Sequence, residues 1–211
     1  MSEPETSSWQ TTSYDFELSS NPGGTSGEST GMLAVAGGDA TAIGTDTVAT
    51  GSVGSTASVD TNMSEGYASA SVTALASGSG DAPVYATATS YAEVYEGSDR
   101  SFSLSFNQAG GEESDAGSMA YYESVSEAYA LDLEIMPDTA DDDAQDPGPV
   151  FGGSLDPGDF ELEESFTGNV AFAEAEASGY GEYTFSEVDL SAVVIEDMLS
   201  TVTITSMVEV G

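Results

Sequence analysis

The residues of this chain that could do chemistry are almost all carboxylates. The sequence holds 38 Asp and Glu residues, a single base, Arg100, and no His or Cys. The missing His and Cys exclude nucleophilic triads, cysteine nucleophiles and the usual zinc sites. The missing Lys also excludes Schiff-base and P-loop chemistry. What remains is acid-base catalysis by carboxylates or the binding of a hard cation.

Acid-base catalysis is the less favoured use of these carboxylates. A glycosidase needs only two of them across a cleft. Sugar-binding clefts, however, are usually lined with Trp, Arg or His, and this chain offers Trp9 and Arg100 alone. The sequence therefore predicts a protein that is not an enzyme.

Calcium suits the carboxylates better, because it takes six to eight oxygen ligands in flexible geometry. The densest acidic run lies in a predicted loop over residues 137–158, where the candidate ligands are Asp138, Asp141, Asp142, Asp143 and Asp146. The spacing does not match an EF-hand, which needs Gly at its sixth position and Glu at its twelfth. Two interpretations stay open: a formed calcium site, and a solvated acidic loop that attracts divalent cations diffusely.

The net charge of -37 excludes several classes of binding partner and indicates the surroundings in which the protein is found. Binding to nucleic acid or to anionic lipid requires Lys and Arg, so both are excluded. No apolar run approaches the ~20 residues of a membrane span, so membrane insertion is not expected. Self-repulsion of this size needs screening by salt or divalent cations. We therefore expect an extracellular or cell-surface location in saline or calcium-rich surroundings, as for a halophilic protein.

Alternation of apolar and small polar residues predicts strands along most of the chain. Phe102, Leu104 and Phe106 alternate with serines, and residues 125–135 alternate in the same way, which predicts two half-buried strands with the apolar face towards the core. Residues 84–95 alternate an Ala face with a Tyr and Thr face. Further strands are predicted at residues 14–18, 33–43, 67–76, 160–166, 170–177, 183–190 and 201–210.

Glycine-rich turns are predicted between the strands, at residues 37–39, 78–81, 96–99, 110–111 and 179–181. Only residues 191–199 offer a possible helical turn. The pattern is typical of an all-β protein, and we expect an antiparallel β-sandwich of jelly-roll type with about ten strands. Alanines at alternate strand positions are interpreted as allowing two sheets, or a neighbouring chain, to approach closely.

Residues 1–30 are predicted to form an N-terminal arm, and residues 31–211 the sandwich domain. Tyr14, Phe16 and Leu18 give the arm a short amphipathic strand, and a Gly/Ser-rich tether follows it. The strand can pair within its own domain, or it can act as a donor strand that completes the sheet of the next subunit. The second interpretation gains from the absence of Lys, which sheets commonly use to protect their edges.

Two smaller features complete the candidate sites. Asn62-Met63-Ser64 is an N-glycosylation sequon, with Asn62 as the acceptor in an exported protein. Arg100 follows Asp99 directly, which indicates a structural ion pair more than a binding role.

Together these patterns predict a structural subunit of an extracellular filament, matrix or surface layer, a homo-oligomer or polymer that assembles by β-strand complementation. A calcium-dependent adhesin or carbohydrate-binding module is the first alternative, and stoichiometric calcium binding without polymerisation would favour it. A virion structural protein from a saline environment is the second.

Overall fold

A computed structural model describes residues 7–20, 31–60, 63–79, 82–95, 100–114, 117–133 and 167–211, and these residues form ten strands and no helix. Accordingly, none of these ranges contains a helix that could cross a lipid bilayer. The strands are β1 (Ser7–Ser20), β2 (Met32–Ile43), β3 (Asp46–Asp60), β4 (Met63–Gly78), β5 (Tyr85–Tyr95), β6 (Arg100–Ser114), β7 (Gly117–Leu133), β8 (Asn169–Tyr180), β9 (Thr184–Ile195) and β10 (Leu199–Val210).

The strands form two packed sheets, so the predicted all-β sandwich is confirmed. The larger sheet has six strands in the order β1-β6-β7-β4-β3-β8, and the smaller has four in the order β5-β2-β10-β9. Neighbouring strands are antiparallel except β3 and β8, which are parallel. A jelly roll is built from antiparallel strands. The jelly-roll order is therefore not confirmed, although the two-layer architecture is.

The core between the sheets is built mainly from alanine. The alternating alanines therefore lie where the two sheets pack together. Because the methyl group of Ala is the smallest apolar side chain, a core made mainly of Ala forms a thin layer between the two sheets. The larger buried residues are few, and Val72, Val202 and Ile204 lie at the centre. The buried alanines are Ala34, Ala36, Ala40, Ala42, Ala49, Ala57, Ala68, Ala70, Ala74, Ala76, Ala88, Ala128 and Ala130.

Hydroxyl groups tie the two sheets together across this thin core. Thr47 on β3 bonds Ser200 on β10 at 2.7 Å between the side-chain oxygens. The Ser90 hydroxyl on β5 lies 2.8 Å from the hydroxyls of both Ser124 and Ser126 on β7. Among the described residues, no buried side-chain nitrogen or oxygen lacks a hydrogen-bond partner. Small polar residues are therefore accommodated inside the sandwich at little cost.

The apolar faces of β6 and β7 point outward, which corrects the prediction that they face the core. Ser105 pairs with Ser126, whose hydroxyl bonds the opposite sheet. The serine face of β6 is therefore the inner one, and Phe102, Leu104 and Phe106 are on the outer side. The physical reason is depth, because an interior filled mainly by Ala and Ser leaves little room for a row of Phe and Leu side chains.

Two of the predicted glycine turns, at residues 37–39 and 110–111, are wrong because both lie within strands. Gly37 on β2 is covered by the ring of Tyr91 on β5, and Gly110 on β6 by the ring of Tyr121 on β7. At both positions the absence of a side chain on glycine makes space for an aromatic ring from the neighbouring strand, and no turn is formed.

The sequence prediction also missed one strand and misplaced the end of another. No strand was predicted over β3, whose Gly, Ser, Thr and Ala content gives a weak pattern. Residues 191–195, assigned to a possible helical turn, continue β9, and residues 196–198 form the turn to β10. The predicted strand at 160–166 and the predicted turn at 96–99 lie outside the described residues.

Candidate assembly surface

Strand β1 is an outlying edge of the sandwich. It pairs antiparallel with β6 over its whole length, from Ser7 opposite Glu113 to Ser20 opposite Arg100. It contacts no other described strand. The smaller sheet packs on β7, β4, β3 and β8. Its edge strand β5 makes only slight contact with β6. Strand β1 therefore projects beyond the part of the larger sheet that the smaller one covers.

The three residues predicted for the assembly strand lie on one side of β1. Tyr14, Phe16 and Leu18 are 71%, 60% and 66% exposed. These side chains also pack against β6, and the centroid of the Phe16 ring lies 5.3 Å from that of the Phe102 ring. In this single chain β1 pairs with β6 of its own domain, which is the first of the two interpretations of the N-terminal strand. Pairing with a second copy stays a prediction.

The outer side of the larger sheet continues this apolar strip across four strands. In the register of the sheet, Phe102 lies opposite Tyr129 and Tyr129 opposite Tyr67, so the strip runs from β1 through β6 and β7 to β4. We name this surface the aromatic face. It consists of Tyr14, Phe16, Leu18, Phe102, Leu104, Phe106, Tyr129 and Tyr67.

Carboxylates lie within and beside the aromatic face. Glu127 occupies the position on β7 between Val125 and Tyr129, and it accepts a hydrogen bond of 3.3 Å from the Tyr67 hydroxyl. Glu123 lies two positions before Val125 on the same side of β7, and burial raises the pKa of its carboxyl above the usual value. These acids are therefore partly removed from water beside apolar groups.

The tyrosines of this surface report the same environment. Burial raises the pKa of Tyr129, and the negative charge of Glu65 raises it further. Burial is also the main cause that raises the pKa of Tyr67, with Glu127 acting in the same direction and a hydrogen bond with Ser69 opposing it. Both phenols stay neutral and remain hydrogen-bond donors at neutral pH.

All four edges of the two sheets are long and regular. The edge strands β1, β5, β8 and β9 have 11 to 14 residues, and their described pairings run without a bulge. None contains Pro or Lys, the residues that commonly protect sheet edges. Strand β9 is exposed along its whole length on both faces. Edges of this kind are templates for pairing with another chain.

Other sequence-predicted site residues are not positioned by the structure. Asp138, Asp141, Asp142, Asp143 and Asp146 lie outside the described residues, and so does Asn62. Calcium binding and glycosylation therefore stay predictions. Within the described ranges, no three Asp or Glu residues are grouped as a metal site would require.

The lone base, Arg100, is placed only by its backbone, which begins β6 opposite Leu131. Its suggested ion-pair partner, Asp99, lies outside the described residues.

Sequence reasoning missed the aromatic face because it assigned the side chains of β6 and β7 to the core. One signal was available, since Glu127 interrupts the apolar run from Val125 to Leu131. An acid without a basic partner is rarely placed in a core, so its presence marks that side of β7 as the outer one.

Comparisons of the chain with protein-family models, with curated proteins and with solved structures found no match.

Proposed function

We propose that this protein is a non-enzymatic structural subunit that assembles into an extracellular filament, matrix or surface layer by exchanging strand β1 between copies. The observation that carries the proposal is that β1 contacts β6 and no other described strand. A strand from a second copy can therefore occupy the same place with the same contacts.

The energetic argument is that exchange costs little. The fourteen residue pairs between β1 and β6, and the ring contacts that accompany them, are identical whether the strand comes from the same chain or another. No packing against another described strand has to be broken, because β6 is the single described strand that β1 contacts. Exchange of an identical element is a general low-cost route to oligomers.

A chain that gives its strand to one neighbour and accepts a strand from another can continue the series. If the exchange is mutual it closes as a dimer, and if it passes from copy to copy it produces an open fibre. The edges of β5, β8 and β9, which carry neither Pro nor Lys, provide further places where such units could pair side by side once salt screens their carboxylates.

Charge sets the conditions for assembly. Each copy carries a formal charge of -37, so copies repel one another in dilute buffer. The screening length falls from ~10 Å at 0.1 M salt to ~3 Å at 1 M, which removes most of this repulsion. Divalent cations bound to the acidic residues between 137 and 158 would act in the same direction. The proposed setting is therefore a saline or calcium-rich exterior.

Negative-stain electron microscopy tests the proposal directly. The purified chain is imaged at low and at seawater-like salt, each with and without millimolar calcium, beside a variant that lacks residues 1–20. We expect ordered assemblies of the full chain at high salt or with calcium, and single particles of the truncated chain. Uniform monomers of the full chain under every condition would contradict the proposal and favour a binding module instead.

A further inference from the structure

We propose that the aromatic face docks an arginine-rich segment of another protein. This inference goes beyond strand exchange, because the aromatic face is present whether β1 belongs to the same chain or to a neighbour. It concerns the broad outer surface of the larger sheet, whereas exchange concerns the edge.

The first observation is that the aromatic face is an apolar strip that no other described strand covers. The smaller sheet packs on the opposite side of the larger one, where the alanines and serines lie. Tyr14, Phe16 and Leu18 remain more than half exposed. Phe102, Leu104, Tyr129 and Tyr67 beside them are half-buried, and Phe106 is buried. The exposed part of the strip is therefore its β1 edge, and exposed apolar surface can mark an interaction site in soluble proteins.

The second observation is the sign of the charge that accompanies it. Glu65, Glu123 and Glu127 are all on the outer side of the larger sheet, in the register that also holds Tyr129 and Tyr67. The only base in the sequence, Arg100, begins β6 at one end of this surface. A second copy of the chain would bring carboxylates against carboxylates. Charge complementarity therefore selects a basic occupant over self-association through this face.

The third step distinguishes arginine from lysine. The planar guanidinium stacks on aromatic rings and at the same time donates hydrogen bonds to carboxylates, whereas the compact lysine ammonium is strongly hydrated. Glu127 uses one oxygen to accept the Tyr67 hydroxyl, and a carboxylate keeps further acceptor positions for a second donor. The aromatic face offers both rings on which a guanidinium can stack and a partly buried carboxylate to which it can donate.

The experiment measures binding of a fluorescent peptide of alternating Arg and Ser by anisotropy, at a salt concentration at which electron microscopy shows single particles of the chain. The same peptide with Lys in place of Arg, and one with Gln in place of Arg, are measured in parallel. Two variants test the site: Glu127→Gln removes an acid of the aromatic face, and Phe16→Ser removes an exposed ring. Asp189→Asn, on exposed β9 of the other sheet, is the control with the same change in charge.

We expect Glu127→Gln and Phe16→Ser each to weaken binding of the arginine peptide by roughly tenfold, the size of one lost charge-assisted or stacking contact. Asp189→Asn should change it less than about twofold, because an exposed distant charge contributes little. The lysine peptide should bind several times more weakly than the arginine peptide. Circular dichroism of each variant checks that the sandwich is intact.

Three results would overturn the proposal. Equal weakening by Glu127→Gln and Asp189→Asn would mean attraction by net charge alone. Equal affinity for the lysine and arginine peptides would exclude stacking on the rings. Absence of binding by the arginine peptide would remove the site altogether. None of these results bears on strand exchange, which is read from the assembly state.

Discussion

The ring of Tyr14 on β1 lies 5.0 Å from the ring of Phe106 on β6, measured between centroids, with the two planes tilted by 43°. Phe106 is only 7% exposed, although it is on the outer side of the sheet, away from the alanine core. Its burial therefore depends on neighbours along the surface, and Tyr14 is one of them. An edge strand thus shields the apolar side of the next strand.

Replacing Tyr14 should loosen β1 without unfolding the sandwich. We expect Tyr14→Ala to cost β1 about 1 kcal/mol, the usual value of an aromatic pair beyond its buried area. Amide hydrogen exchange of residues 7–20 should become several times faster, while exchange in β3 and β4 stays unchanged. Tyr183→Ala is the control, because that side chain is 77% exposed. Equal acceleration in the central strands would show that β1 is not a separable element.

The glycines beneath aromatic rings should resist substitution. A Cβ on Gly37 would occupy the space of the Tyr91 ring, so Gly37→Ala should destabilise the protein by about 1–3 kcal/mol. Gly54 is the control, because the nearest atom to a Cβ there is the Ser69 Oγ at 3.5 Å. Gly54→Ala should be neutral or slightly stabilising in thermal melts followed by circular dichroism. Similar losses in both variants would mean that the ring does not require the glycine.

The hydroxyl contacts between sheets can be tested by a double-mutant cycle. Ser206 donates to the Glu176 carbonyl at 2.6 Å, and its oxygen lies 2.5 Å from the buried Ser55 hydroxyl. Ser206→Ala leaves the Ser55 hydroxyl without this partner, which should cost about 1–3 kcal/mol. Adding Ser55→Ala should restore part of this loss, because the orphaned group is then removed. Strictly additive losses in urea unfolding would show that the two hydroxyls are not coupled.

The raised pKa of Glu123 predicts a pH-dependent effect of its removal. Because burial raises the folded-state pKa above the unfolded value, the protonated acid favours the fold at low pH, and this contribution is lost as pH rises through the folded-state pKa. Glu123→Gln should therefore raise the melting temperature at pH 7 but not below pH ~4. Glu187→Gln, on exposed β9, makes the same change in charge. An equal increase from both variants would assign the effect to net charge and not to burial.

The sequence predicted which residues form strands better than which way they face. Alternation in residues 102–106 correctly indicated a strand, but an alternating pattern has two faces and does not by itself say which is inside. The usual preference for burying Phe and Leu was overridden by the alanines and serines that set the thickness of the core. On β5 the Ala face is inside and Tyr91 outside, so bulk points outward there too.

The register could not be predicted either, and the aromatic face depends on it. Tyr67, Tyr129 and Phe102 come from three different strands, and only their pairing places them in one row. Gly37 and Gly110 were misassigned for the same reason. Their need for glycine comes from a ring on the neighbouring strand, which no local pattern contains.

Strand exchange itself is tested most directly by cross-linking between two differently labelled chains. The protein has no cysteine, so a chain carrying Ser13→Cys can be mixed with one carrying Asn107→Cys, its opposite residue on β6. The neighbouring pair, Thr12→Cys with Gln108→Cys, is tested in the same way, because hydrogen-bonded and non-hydrogen-bonded positions alternate along the ladder. Ser52→Cys mixed with Ser71→Cys, opposite residues of the β3 and β4 hairpin, is the control.

Under assembling salt and mild oxidation, we predict disulfide-linked heterodimers for at least one of the two β1 and β6 mixtures, and none for the β3 and β4 mixture. Such a result would show that β1 of one chain occupies the β6 edge of another. If assemblies form but neither β1 and β6 mixture gives a heterodimer, β1 remains in its own chain and strand exchange is contradicted.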